Sequence, residues 1–534
     1  MTLRRLLLVL VPLLSLACKK DLVCPRGEVD CGGRCVPLAS DAANCGACGH
    51  ACGPRAYCGA GACACEAGAT GCGGVCTDLA SDPRSCGACG SPCDAALVCS
   101  ASTCQGACAA GLTDCARACV DVAVDSANCG ACGRSCGPGE RCQAGACQAL
   151  YAACFNTNEI ARVTASLAHA ASISAGDGPL ALALGGDVIY TVNTGFGATS
   201  AGIPSVAAYA TDGGNAGFEV TFPAYEDLES LRAWRDVLLV SDATANAVLV
   251  FDPAVQDVVG AVALATGTDS YPNPHGIAVV GDVAYVALAG SDQLAGGQQV
   301  AIIDFSSVDA CRDPSSPACA DSSTCDAGRS CVRGRCQIPC GTVTGRVDLA
   351  SAADAGGKPF PWNVLAAGDK AYVTLGNMTP GDWTKKIYRA PAGHGKLAVL
   401  QGGALASPTS IVDLGAGCAN ADAITANGDT LWVSCSWEGT PAVVPVDVSG
   451  AAPVVGAPLD LSAVPGSAPH GIAPAPHGFT PAALTFCGGA AYVGDLWSGR
   501  VARVDAAGAI TATAEVCPAN ASGDAVVADL ACSW

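Results

Sequence analysis

Charge, aromatic rings and histidine are all scarce in this chain. Of 534 residues, 14% are charged and 5% aromatic, with six histidines and two methionines. The 27 basic residues face 47 acidic ones, giving a net charge of −20 that argues against a nucleic-acid partner and against electrostatic adhesion to anionic lipid. With so few rings and charges, Ala, Val, Leu and Ile must build the core. Past residue 17 no apolar run is long enough to cross a bilayer. A glycine-rich phosphate cradle, a serine nucleophile elbow and a helix-borne zinc motif are also missing, and nothing reads as a long amphipathic helix.

Cysteine is the opposite case, with 37 residues. The string C-x6-C-x3-C-x9-C-x2-C-x3-C-x5-C-x4-C occurs three times with identical gaps, over 24–63, 65–104 and 108–147. Domains this small bury little apolar surface and need cross-links. The CxxC pairs Cys45/Cys48, Cys86/Cys89 and Cys129/Cys132 also have the form of a zinc knuckle or redox motif. No histidine recurs at a ligand position, and structural disulfides are the expected state. Asp41, Asp82 and Asp125 each follow a third cysteine by six residues. One carboxylate per repeat does not saturate calcium, so a turn-capping role is expected. The runs Cys45–Cys52, Cys86–Cys93 and Cys129–Cys136 resemble the CGxCGxxC signature of Stig1-type cysteine-rich domains. That resemblance implies an extracellular structural or interaction role.

Arg4 and Arg5 precede the apolar run Leu6 to Leu14, and Ser15-Leu16-Ala17-Cys18 follows. This segment resembles a bacterial lipobox, although Ser15 stands where leucine is usual. The resemblance implies removal of residues 1–17, diacylglycerol and palmitate on Cys18, and a short tether over 18–23. A plain secretory peptide with a later cut is the other reading, and both export the protein. Without Cys18 the cysteines number 36, an even count that suits complete pairing. An outer-membrane or cell-surface location, lipid-anchored, is the expectation, with the membrane contacted through the acyl chain alone.

From residue 148 the texture changes. Short apolar stretches recur behind Gly-Asp turns: Gly186-Asp187, Arg235-Asp236, Gly281-Asp282, Gly368-Asp369, Gly428-Asp429 and Gly488-Gly489, with Leu150-Tyr151-Ala152-Ala153 as a copy without its turn. Each reads as strand, turn, strand and a third strand ending near an aspartate. Repeats of about 55 residues built this way describe an all-β, seven-bladed propeller over 148–534, six or eight blades being the alternatives. Pro274-His275-Gly276-Ile277-Ala278-Val279 with its following turn and Tyr285-Val286 resembles the repeats of YVTN, NHL-type and lactonase-like propellers. Asp524 to Leu530 is expected to supply the innermost strand of the first blade. Adjacency of strands then predicts disulfides Cys154–Cys532, Cys418–Cys435 and Cys487–Cys517. Six more cysteines, between Cys311 and Cys340, form an insertion after the third strand of the fourth blade. That insertion and the entering chain are expected on the face opposite the ligand-binding mouth, toward the membrane.

Aligning the blades by their turns places Leu180, Glu229, His275, Trp362, Asp422 and Ala482 at one level, with His470 and His477 in the loop before the last blade. Imidazoles with carboxylates suit a transition metal, and in lactonase-like relatives such a metal polarises a carbonyl and activates water. Pro-His-Gly at a strand entry is equally the pattern of a backbone-fixing turn. Trp362 is either core or a stacking platform. Two functions stand: a monomeric, disulfide-stalked binding or scaffold module for protein or glycan, with no cofactor, and a metal-dependent lactonase-like hydrolase or lyase.

Overall fold

A computed structural model describes residues 29–532 apart from short stretches, chiefly 32–34, 39–43, 137–140, 198–201, 212–216, 293–297, 312–316, 402–406, 437–440, 465–479 and 521–524. The chain divides into two compact units between Cys76 and Thr77, inside the second cysteine repeat. Among the described residues no helix is long and apolar enough to cross a membrane.

The repeats follow one disulfide pattern. In the third, Cys108–Cys119, Cys115–Cys132, Cys129–Cys142 and Cys136–Cys147 join the first cysteine to the third, the second to the fifth, the fourth to the seventh and the sixth to the eighth. Cys31–Cys48, Cys45–Cys58 and Cys52–Cys63 repeat it in the first unit, and Cys86–Cys99 and Cys93–Cys104 in the second. The two cysteines of each CxxC thus enter different bridges. The glycine between them has positive φ, 73° at Gly46, 76° at Gly87 and 74° at Gly130. A Cβ there would strike the carbonyl oxygen of Gly61, Ser102 or Gly145, so a close backbone crossing explains this glycine. Asp82 and Asp125 accept the backbone N–H groups of Arg84 and Ala127 at 2.7 and 2.8 Å, as turn caps.

Repeats two and three interlock in the second unit. Ala118 pairs in parallel with Cys99, and Arg117 donates to the carbonyls of Leu97 at 2.9 Å, Cys93 at 3.0 Å and Asp94 at 2.6 Å. Arg117 has a φ of 71°, which costs a non-glycine residue about 1 kcal/mol or more, and three charge-assisted bonds offset that strain.

The remaining chain forms seven antiparallel sheets among the described residues, the blades of a β-propeller. Their inner strands are Val527–Cys532 in blade 1, Pro179–Gly185, Leu228–Trp234, Pro274–Val280, Pro361–Ala367, Ala421–Asn427 and Pro481–Cys487 in blades 2 to 7. Each inner strand packs on the next, and the last returns to the first. The outer strand of blade 6 is split into Val454–Val455 and Leu459–Asp460. Valine, leucine and alanine fill the layers between blades, as in the cluster of Val300, Ile302, Val347, Val373 and Leu400 between blades 4 and 5.

Blade 1 takes its innermost strand from Val527–Cys532, which pairs with Leu150–Cys154. Two expected disulfides are corrected: Cys154 bonds Cys517, and Cys487 bonds Cys532. The register gives the reason, because Cys154 faces Val527 and Leu150 faces Cys532, so Cys154 and Cys532 lie at opposite ends of their pair. Cys532 instead ends beside Cys487, the last residue of the neighbouring, equally directed inner strand. Cys418 is bonded to Cys435. Both exchanged bridges cross from blade 7 to blade 1.

The insertion closes on Cys311–Cys340, and this bridge packs into the core between blades 3 and 4. Inside it, Ser330–Val332 and Arg335–Gln337 form a hairpin with Cys331 opposite Cys336, the register that sets Cys99 opposite Cys104 and Cys142 opposite Cys147. Cys325 bonds Cys336 at a separation of 11, as Cys93 bonds Cys104. With Cys325-Asp326-Ala327 matching Cys93-Asp94-Ala95, the insertion holds the last third of a repeat.

Candidate functional site

Each inner strand opens with a β-bulge. Pairing with the second strand begins at Pro179, Leu228, Pro274, Pro361, Ala421, Pro481 and Val527, then slips by one residue. The slip turns the following residues toward the axis. They are Leu180, Glu229, His275, Trp362, Asp422, Ala482 and Ala528, and all line one central cavity of about 330 Å³. In three blades the residue before the opening proline is left-handed: Gly178 at 72°, Asn273 at 51° and Phe360 at 45°. That conformation is rare for a bulky side chain, and the Phe360 N–H is held by Gln298 Oε1 at 2.7 Å.

Glu229 and His275 come from adjacent blades. His275 Nδ1 lies 3.5 Å from Glu229 Oε2, with the two side chains 17% and 23% exposed. Burial, aided by the nearby Asp227 carboxylate, pushes Glu229 up to about 8. Burial, aided by Arg389, pushes His275 down to about 4. At neutral pH the pair is therefore a protonated carboxyl beside a neutral imidazole, polar but uncharged.

The His275 ring stands edge-on to Trp362, perpendicular at a centroid distance of 4.9 Å. Phe360 stacks behind Trp362 at 6.0 Å and 12°. Arg389 sits 4.3 Å over Phe360 and 5.4 Å from the Trp362 ring, held by Asp292 at 2.9 and 3.1 Å. The indole is thus braced from one side while it lines the cavity. Asp422 accepts from Ser436 at 3.1 Å and from Asn363 at 3.4 Å, yet burial raises it to about 6.

Gly276 explains the Pro-His-Gly signature. A Cβ on it would come within 2.7 Å of Asn363 Cα, 2.8 Å of Trp362 O and 2.9 Å of Val364 N. The glycine lets the inner strands of blades 4 and 5 approach backbone to backbone and sets His275 against Trp362.

Asp529 and Arg232 also line the cavity but are invisible to alignment by turns. Asp529 belongs to the strand that returns from the far end of the sequence. Its Oδ2 accepts the Leu182 N–H at 2.8 Å and its Oδ1 the Leu530 N–H at 2.8 Å, and burial raises it to about 6. Simple alternation from Glu229 selects Leu231, and only the bulge, which the sequence does not mark, puts Ser230 and Arg232 on one face. His470, His477 and Cys18 lie outside the described residues. Among the described residues, the groups of three metal-type ligands close enough to share an ion are all cysteines, and every one of those is disulfide-bonded. Glu229 and His275 supply two ligands of the kind a transition metal takes.

No protein-family model matches the chain, and no curated protein matches it. Among solved structures, it is similar to a Lactobacillus plantarum protein at 13% identity and a TM-score of 0.45, over 72% of this chain and 99% of that one. A Bacteroides fragilis protein provisionally assigned as a 6-phosphogluconolactonase is similar at 12% identity and 0.44, over 72% and 98%. BamB from Moraxella catarrhalis is similar at 11% and 0.36, over 70% and 89%. Likeness at these identities concerns the fold alone.

Proposed function

We propose that this is an exported, lipid-anchored binding module in which disulfide-rich repeats form a stalk and the propeller mouth takes a glycan end. Cys18 carries the acyl anchor. The register supports the orientation: the strand entry at Leu150 and the insertion after Asp304 lie at the inner strands' C-terminal ends, opposite the bulged ring. One observation carries the ligand class, namely that Trp362 presents a braced aromatic surface beside Glu229 and His275, which at neutral pH are uncharged hydrogen-bonding groups. Sugar rings stack on indole, and their hydroxyls exchange hydrogen bonds with neutral polar groups without a charge-desolvation cost. A cavity of about 330 Å³ matches one or two sugar rings.

The test is binding of the purified full-length protein to a glycan array, followed by calorimetry on the ligands found. Trp362→Ala is expected to reduce affinity at least tenfold with the fold intact by circular dichroism. Unchanged glycan binding in that variant would remove the mouth from the reading.

A second reading, the metal-dependent lactonase-like hydrolase, is favoured by the same 3.5 Å carboxyl–imidazole contact, which at neutral pH holds a proton donor beside a proton acceptor. In it, Glu229 and His275 would bind the metal, which supplies carbonyl polarisation. Metal-stimulated turnover of lactones or esters, abolished by His275→Ala, would favour it over the binding role.

A further inference from the structure

We infer that the channel below the ring holds an anion subsite built on Arg232 and Ser230, so that the preferred ligand is a sugar acid whose carboxylate enters first. The inference rests on the binding reading above and names the ligand within it.

Past the bulge at Glu229, the inner strand of blade 3 regains regular pairing, with Ser230 opposite Ser241 and Arg232 opposite Leu239. Residues two apart share a face of a strand. Leu231 packs into the core of blades 2 and 3 while bordering the cavity, and Ser230 and Arg232 line the cavity from the opposite face of the strand. The Arg232 side chain makes no hydrogen bond or ion pair with any described residue and stays accessible to solvent, while partial desolvation by the channel wall lowers its pKa. Three other cations of the propeller are differently placed: Arg389 is bound to Asp292, Arg346 faces Asp269, and Lys396 is bound to Asp354.

The neighbours of Arg232 leave it room. The residues at its level in the flanking blades are Ala183, opposite Tyr190, and Ala278, opposite Tyr285. The two carboxylates that share the cavity wall and ionise near pH 6 are already engaged, Asp422 by Ser436 and Asn363, Asp529 by two backbone N–H groups. A guanidinium left without a counter-ion in a walled channel is the strongest attraction there for an incoming anion, and its planar fork matches a carboxylate. From Glu229 to Arg232 is three residues, about 10 Å of strand, the span of one sugar ring plus its carboxylate.

Calorimetry with galacturonate and with galactose on the full-length protein tests this. Wild type is expected to bind the acid roughly tenfold or more tightly than the neutral sugar. Arg232→Met is expected to abolish that preference, and Arg232→Lys to keep part of it. Equal affinity for the two sugars in wild type, or a preference that survives Arg232→Met, overturns the subsite while leaving the glycan reading in place. Failure of both sugars to bind overturns the two together.

Discussion

His275 Nδ1 faces Glu229 Oε2 across 3.5 Å between blades 4 and 3, and the two groups are shifted in opposite directions. One becomes a weaker acid and the other a weaker base, so each keeps its neutral form over the physiological range.

This arrangement sets a pH profile. Glu229 rises from 4.5 to about 8 on folding, so its contribution to stability is complete below pH 4.5 and is lost as pH climbs through 8. His275 falls from 6.5 to about 4, so its contribution is complete above pH 6.5 and is lost as pH drops through 4. Urea midpoints measured from pH 4 to 9 are expected to decline on the alkaline side, and Glu229→Gln to flatten that limb. An alkaline limb unchanged in the variant would refute the assignment to Glu229.

Gly276→Ala tests the close contact behind the site. The added methyl meets the backbone of Trp362, Asn363 and Val364, so blades 4 and 5 must part. Chemical denaturation is expected to show a loss of about 1–3 kcal/mol, together with weaker ligand binding, since Trp362 moves with its strand. Wild-type stability would mean the neighbouring strand yields freely.

Peptide mapping without reduction is expected to recover Cys154–Cys517 and Cys487–Cys532, and not Cys154–Cys532. Replacing Cys487 and Cys532 by serine should cost about 2–4 kcal/mol in the loop-entropy model. Asp529→Ala, which frees the Leu182 N–H of blade 2 on the other side of the same strand, is expected to cost about 1–3 kcal/mol. Both variants loosen the same strand, Val527–Cys532, from the blade on either side of it, so their combined effect should be less than additive if that strand detaches as a unit.

Much of this was legible in the sequence for a physical reason. A Gly-Asp turn between two apolar strands is a local signal, and its recurrence fixed the blade count and put Glu229, His275, Trp362 and Asp422 at one level. What local signals do not carry is register at long range. Cys154 and Cys532 belong to adjacent strands, yet which ends meet depends on a pairing between segments over 350 residues apart, as the 363-residue separation of Cys154 and Cys517 illustrates. Asp529 was missed for the same cause. Arg232 was missed because alignment by turns stops at the bulged residue, whereas the channel continues along the strand. The kinship of the insertion with the repeats was hidden by its missing first cysteines and emerged from the hairpin register.

The way blade 1 is completed dictates an order of events. The described bridges of the cysteine repeats all close over 17 residues or fewer, so they can form before the ring is complete. The ring has no such option. Its first blade stays one strand short until Val527–Cys532 arrives, and Asp529 and Cys532 come with that strand. Synthesis from the N-terminus therefore completes the cysteine repeats while the ring is still open and unsealed, and that interval is when the propeller cysteines are exposed to mispairing.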